Sequence, residues 1–97
     1  MMLEKSKKRK SIEDILGSRA RMRILRFLAE EKELNISKII KKTHLNHSNV
    51  TKHLRFLQSV NFVQEKKFGR IRIYRYKIED IRARSLKNLI DLWNDLD

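Results

Sequence analysis

The apolar residues of this chain are spaced by threes and fours as far as Ser59, the period of helices that bury one face. Ser11 is placed to cap "IEDIL", and Gly17 to stop it. Ser18 opens "RARMRILRFLAEEK". Ala20, Ile24, Phe27 and Leu28 share a face of that helix, with Leu25 at its edge, while Arg19, Arg23, Arg26 and Glu30 point away. "ELNI" reads as a short extended piece. Ser37 then caps "KIIKKT", a helix of under two turns, and His44 stands where the chain must turn. Leu45 anchors the turn, and a further helix over about 48–60 begins at Ser48 or His47. Its Val50, Leu54 and Leu57 form one buried stripe. The opposite sector holds Ser48, Lys52, Arg55 and Ser59, flanked by Asn49 and Thr51. Phe56 falls toward that polar side and is expected to pack on a neighbouring element.

Asn61 suits a left-handed stop. From Phe62 the pattern changes. "FVQEKKF" and "IRIYRYKI" are rich in β-branched and aromatic residues and meet around Gly69, which predicts a hairpin over about 62–78. From Glu79 the chain is helical again. Apolar positions here make two stripes, Ile81–Leu89–Leu96 and Leu86–Ile90–Trp93. A small core covers one stripe. The surplus points to the same helix of a second copy, with Met22 and the "IEDIL" helix as accessory contacts.

Charge sharpens this outline. The 97 residues carry a net +12, unevenly distributed. Residues 1–10 hold five basic residues against Glu4. Residues 35–78 hold eleven against Glu65 alone, and residues 79–97 hold three against five acids. A generally lysine-rich surface does not predict that asymmetry; an anionic partner does, with nucleic acid ahead of an acidic membrane surface. No acid falls between Asn35 and Gln64, which favours Lys52 and Arg55 as phosphate or base contacts. Lys66, Lys67, Arg70 and Arg72 gather near the hairpin tip, although alternation sends some of them to the opposite face. "KSKKRK" is expected to be a mobile auxiliary arm.

The chain has no cysteine, which removes disulfides, thiolate metal sites and cysteine nucleophiles and fits a reducing cytosol. No apolar run approaches a membrane span, and the first ten residues lack the apolar segment of a secretory signal. His44, His47 and His53 do not make a zinc site by pattern: no acid lies among them, and His53 is nearly two turns beyond His47. His53 reads as a packed or hydrogen-bonded helix residue, His47 as a base or phosphate contact. Ser48 and Thr51 beside His47 form no base–orienter–oxyanion arrangement, so neither catalysis nor a cofactor is expected.

The order helix, helix, short strand, helix, turn, helix, hairpin, helix resembles a winged helix-turn-helix domain, mainly α with a small β-hairpin wing. It is most similar to the ArsR-type repressors, with the MarR-like group second. "LGSRARMRILRFL" resembles the first long helix of that family, "ELNISKIIKKTHLNHSNVTKHLRFLQSVNFV" its helix-turn-helix, and "GRIRIYRY" its returning wing strand. Together these cover roughly residues 16 to 77. The resemblance implies an intracellular prokaryotic regulator, a homodimer on double-stranded DNA, with a recognition helix in each major groove and wings on backbone or minor groove. It carries DNA contact onto His47, Ser48, Asn49, Thr51, Lys52 and Arg55, and onto the wing residues around Gly69. The metal-sensing cysteines and late histidines found in many such proteins are missing, so no metal is expected. The expected organisation is a flexible basic arm at 1–10, the winged domain at 11–78 and a dimerisation helix at 79–97, in the cytoplasm on the nucleoid. Two other functions fit the same charge. One is an architectural nucleoid protein with little sequence preference, or its duplex-RNA-binding variant. The other is a winged-helix module whose basic face meets an acidic protein.

Overall fold

Every described helix begins on a side chain that accepts a bond from its first turn, each such cap contributing about 1 kcal/mol. The computed structural model describes residues 10–97. In it, Ser11 caps α1 (Ile12–Leu16), Ser18 caps α2 (Arg19–Glu31), and Asp80 caps α5 (Ile81–Leu96). Between them, α3 (Ile36–Thr43) starts from Asn35, whose side chain accepts from the Lys38 amide at 2.8 Å. Likewise α4 (His47–Ser59) starts from Asn46, which accepts from the Asn49 amide at 2.8 Å. Ser37 is therefore not the cap of α3, which is a little longer than that choice predicts, while α4 begins at His47, one of the two starts expected. Asparagine and serine are near-equal at this position, so spacing to the core decides. Of the basic arm expected at 1–10, residues 1–9 lie outside the described residues.

Three strands, β1 (Glu33–Asn35), β2 (Val63–Phe68) and β3 (Ile71–Tyr76), form an antiparallel sheet in the order β1-β3-β2. Pairs Leu34↔Tyr74 and Val63↔Tyr76 fix the register and turn Leu34, Val63, Tyr74 and Tyr76 onto the core. Gly69 and Arg70 make the hairpin turn. Gly69 has φ 62° while Arg70 keeps φ negative, the arrangement of a type II′ turn. Asn61 ends α4 with φ 68°, the left-handed stop expected. His44 does the same after α3 with φ 61°.

The core joins all the helices to the sheet through Ile15, Ile24, Leu25, Leu28, Ile39, Val50, Leu54, Leu57 and Ile90, with the sheet residues above. On α2 the centre of the buried face lies at Ile24, Leu25, Leu28 and Ala29, so Leu25 is wholly inside and not at an edge. Tyr76 is buried and its hydroxyl donates to the Ala83 carbonyl at 2.7 Å, which ties the start of α5 to the sheet. Burial pushes that phenol above its ordinary pKa, with Asp80 and Asp91 adding to the effect. Gly17 has φ −77°, so it ends α1 by compactness and not by a left-handed turn. A Cβ there would stand 2.4 Å from the Glu13 carbonyl oxygen.

Candidate nucleic-acid interface

The turn between α3 and α4 spans His44 to Asn46, and buried Thr43 organises it. Its hydroxyl donates to the Ile39 carbonyl at 2.7 Å and accepts from the Leu45 amide at 3.4 Å. Arg23 on α2 donates to the Thr43 carbonyl at 3.1 Å. These bonds set the angle at which α4 leaves the turn. Val50, Leu54 and Leu57 then pin α4 to the core, each 1% exposed or less.

That pinning dictates what α4 presents outward. His47, Ser48, Asn49, Lys52, Arg55 and Ser59 are all exposed, and no acid stands in the first turn. Thr51 differs from the expectation. It is half-buried, and its hydroxyl oxygen is buried without a hydrogen-bond partner among the described residues. The hydroxyl is thus turned away from the face where His47, Ser48, Asn49, Lys52 and Arg55 gather.

Arg21 braces this helix from behind. Its guanidinium lies 3.8 Å over the centre of the Phe56 ring, a cation–π contact. Its Nε donates to His53 Nδ1 at 3.3 Å, and Nη1 donates to the Asp14 carbonyl. One side chain therefore links α1, α2 and α4, and Phe56 packs on a neighbouring element as its pattern required. His53 is the half-buried, hydrogen-bonded residue expected. Burial, then the charges of Arg21 and Lys52, hold its pKa below the usual histidine value. It accepts through Nδ1, so the neutral ring carries its proton on Nε2.

The wing cations separate into two kinds. Lys66 Nζ bonds Glu33 Oε2 across the sheet at 2.8 Å, and Arg72 Nε bonds Glu65 Oε2 at 3.2 Å. Lys67 and Arg70 are exposed, and neither has an acid within ion-pair distance among the described residues. Lys66 and Arg72 are thus spoken for within the sheet, which four neighbouring letters do not reveal. Glu65, the one acid of the basic stretch, also accepts from the Tyr74 hydroxyl at 2.8 Å. Tyr74 first, and then Arg72, hold its carboxyl below the usual range despite some burial. Its charge is absorbed inside the hairpin.

On α5 the two apolar stripes part company. Ile90 is 5% exposed and belongs to the core of this same chain, and Leu86 packs partly against that core. Ile90 is therefore not part of an open apolar surface. Ile81, Leu89, Trp93 and Leu96 are 51–78% exposed, joined by Leu92 and by Ile12 from α1. A groove of about 500 Å³ runs between α1 and α5, floored by Ile15, Leu16, Phe62 and Leu86.

Two exposed residues were missed in the sequence: Phe68 and Ile71, which flank the hairpin turn at 61% and 56% exposure. The signal was present, since alternation from buried Val63 places Phe68 on the far face of β2. Among the described residues, no three His, Asp or Glu side chains cluster as a metal site. No described helix is long and apolar enough to cross a membrane.

Residues 18–65 match the family model described as bacterial regulatory protein, arsR family. No curated protein matches the sequence closely enough to count as a relative. Among solved structures, HlyU from Vibrio cholerae N16961 superposes with a TM-score of 0.72 at 22% identity, over 96% of this chain and 95% of that one. NolR from Sinorhizobium fredii gives 0.72 at 17% identity, over 92% and 86%. The transcriptional repressor PagR of Bacillus anthracis gives 0.68 at 18% identity, over 92% and 94%. At these identities the likeness is one of fold, and it is the winged helix-turn-helix fold.

Proposed function

We propose that this chain, an ArsR-family winged helix-turn-helix protein by its match over residues 18–65, is a transcriptional regulator that binds a specific double-stranded DNA site as a homodimer. The observation that carries the reading is the composition of the outward face of α4. Short hydrogen-bonding side chains at its start, Ser48 and Asn49, are followed by Lys52 and Arg55, and the one acid of the basic stretch, Glu65, is held within the hairpin. A helix of this kind fits a major groove, where asparagine can pair with an adenine edge and the cations meet phosphates or guanine. His47 stands at the start of the same face as a further contact. Lys67 and Arg70 on the wing serve backbone or minor groove.

The homodimer reading rests on the apolar surface of α5 and α1. Ile12, Ile81, Leu89, Leu92, Trp93 and Leu96 stand exposed on these two helices, more than scattered surface residues require. Asp91, Asp95 and Asp97 sit at this end, away from the cationic stretch in sequence and opposite to it in charge. Two copies joined through α5 would present two α4 helices to a site of two half-sites, about one helical turn apart.

The test is selection from genomic fragments with the purified protein at about 150 mM salt, followed by footprinting. A protected pseudo-palindrome, lost on Asn49→Ala or Lys52→Ala, supports the reading. Uniform recovery of all fragments would turn it toward an architectural protein. Binding unchanged by Lys52→Glu would remove α4 from the DNA altogether.

A further inference from the structure

The hairpin ends in an apolar pair that the core does not use. Phe68 and Ile71 face each other across the turn, directly partnered in the register of β2 and β3. As a cross-strand pair they help to hold the hairpin shut, and both still remain more than half exposed. Their neighbours at the tip are Lys67, Gly69 and Arg70, all exposed. Glu65 and Glu33, the acids of the sheet, are already bonded to Tyr74, Arg72 and Lys66. The tip is thus an apolar pair with two cations beside it, Lys67 one residue before Phe68 on the other face of β2 and Arg70 in the turn, neither with an acidic partner among the described residues.

We propose that this tip is a wedge for duplex DNA: Phe68, supported by Ile71, inserts at a base step from the minor groove and kinks the helix. The proposal rests on the DNA-binding reading above and deepens it. Paired strands lie about 4.8 Å apart centre to centre, and with their atoms they are wider than a minor groove about 6 Å across, so only the tip side chain enters, and the groove opens as the step unstacks. Lys67 and Arg70 meet the phosphates on either side, so charge holds the apolar edge at the groove. Phenylalanine and isoleucine are side chains that other minor-groove proteins drive between base pairs. Pyrimidine–purine steps unstack most easily, so they are the steps the tip favours. Gly69 in its left-handed turn keeps the tip thin, with open space around the position a Cβ would take. The wedge adds sequence preference at positions that α4 does not touch.

The test uses a duplex of about 30 base pairs carrying the fragment selected by the wild-type protein. Donor and acceptor dyes sit on its two ends, and 2-aminopurine replaces adenine at each pyrimidine–purine step. The wild-type protein is expected to shorten the end-to-end distance by a kink of about 20–90° and to brighten 2-aminopurine at one step. Phe68→Ala and Ile71→Ser are expected to lose both signals while still footprinting the α4 contacts, and Phe68→Leu to keep them. Helical circular dichroism should stay unchanged, since both side chains are largely exposed. A wild-type complex with straight, fully stacked DNA overturns the wedge and leaves the regulator reading intact. So does a Phe68→Ala complex that bends as the wild type does. If the wild-type protein footprints no fragment at all, the DNA-binding reading fails, and the wedge with it.

Discussion

Lys66 and Lys67 are adjacent, identical in chemistry and both near the wing tip, yet they should contribute unequally to DNA binding. Lys66 is engaged by Glu33 at 2.8 Å, whereas Lys67 has no acidic partner among the described residues. On α4 and the wing each protomer offers Lys52, Arg55, Lys67 and Arg70, exposed cations without such a partner among those residues. A dimer that places all of them on phosphates displaces counterions with a slope of about −7 in log K against log salt, and loses affinity roughly 10⁴-fold between about 50 and 200 mM. Lys67→Ala removes one contact per protomer and should make that slope shallower by about 2 units in a dimer, or about 1 in a monomer. The double change Lys66→Ala with Glu33→Ala removes a pair that is already neutral, and should move the slope by less than about 0.5. Fluorescence anisotropy of a labelled duplex across that salt range reads all three slopes. An equal loss of slope for the double change and for Lys67→Ala would refute the argument, because it would mean that phosphate pulls Lys66 off Glu33. An unchanged slope for Lys67→Ala would refute the placement of the wing on DNA.

Neighbouring positions on α5 should separate association from folding. Leu89→Glu is expected to give a folded monomer in sedimentation, with emission from Trp93 shifted to the red; a dimer of unchanged stability would place the interface elsewhere. Ile90→Ala, by contrast, should lower stability by about 2–5 kcal/mol in urea unfolding, as a core truncation does. Gly17→Ala should cost about 1–3 kcal/mol, since its methyl meets the Glu13 carbonyl; a neutral or stabilising result would mean that α1 shifts freely. His53 has a lowered pKa in the fold, so the unfolded chain takes up its proton first as the pH falls. Its contribution is therefore complete above about pH 6.5 and is lost on acidification toward the folded pKa, where the protonated ring can no longer accept from Arg21. His53→Gln should flatten that limb of the stability curve; an unaltered acid limb would show that the Arg21 bond carries no pH dependence.

Much of the architecture was legible in local chemistry. The three-and-four spacing of Val50, Leu54 and Leu57 identifies the buried side of α4, and so the outward side, because a helix in contact with a core has only one way to face it. Ser11, Ser18, Asn61 and Gly69 mark ends and turns by requirements that a single residue meets alone. The basic, nearly acid-free stretch over 35–78 indicates the sign of the partner whatever the fold, since net charge survives any arrangement of the chain.

Choices between near-equivalent residues had to wait for the folded chain. Lys66 differs from Lys67 because β1 brings Glu33 to one of them from 33 residues away. Ile90 differs from Leu89 because one step around the helix points it into the core that the sheet, α2 and α5 close together. The inward hydroxyl of Thr51 and the exposed tip of Phe68 likewise depend on what stands opposite. Periodicity tells which residues share a face. Only the packing of distant segments tells which face is already occupied, because burial and charge pairing at one position are set by atoms that the local sequence does not contain.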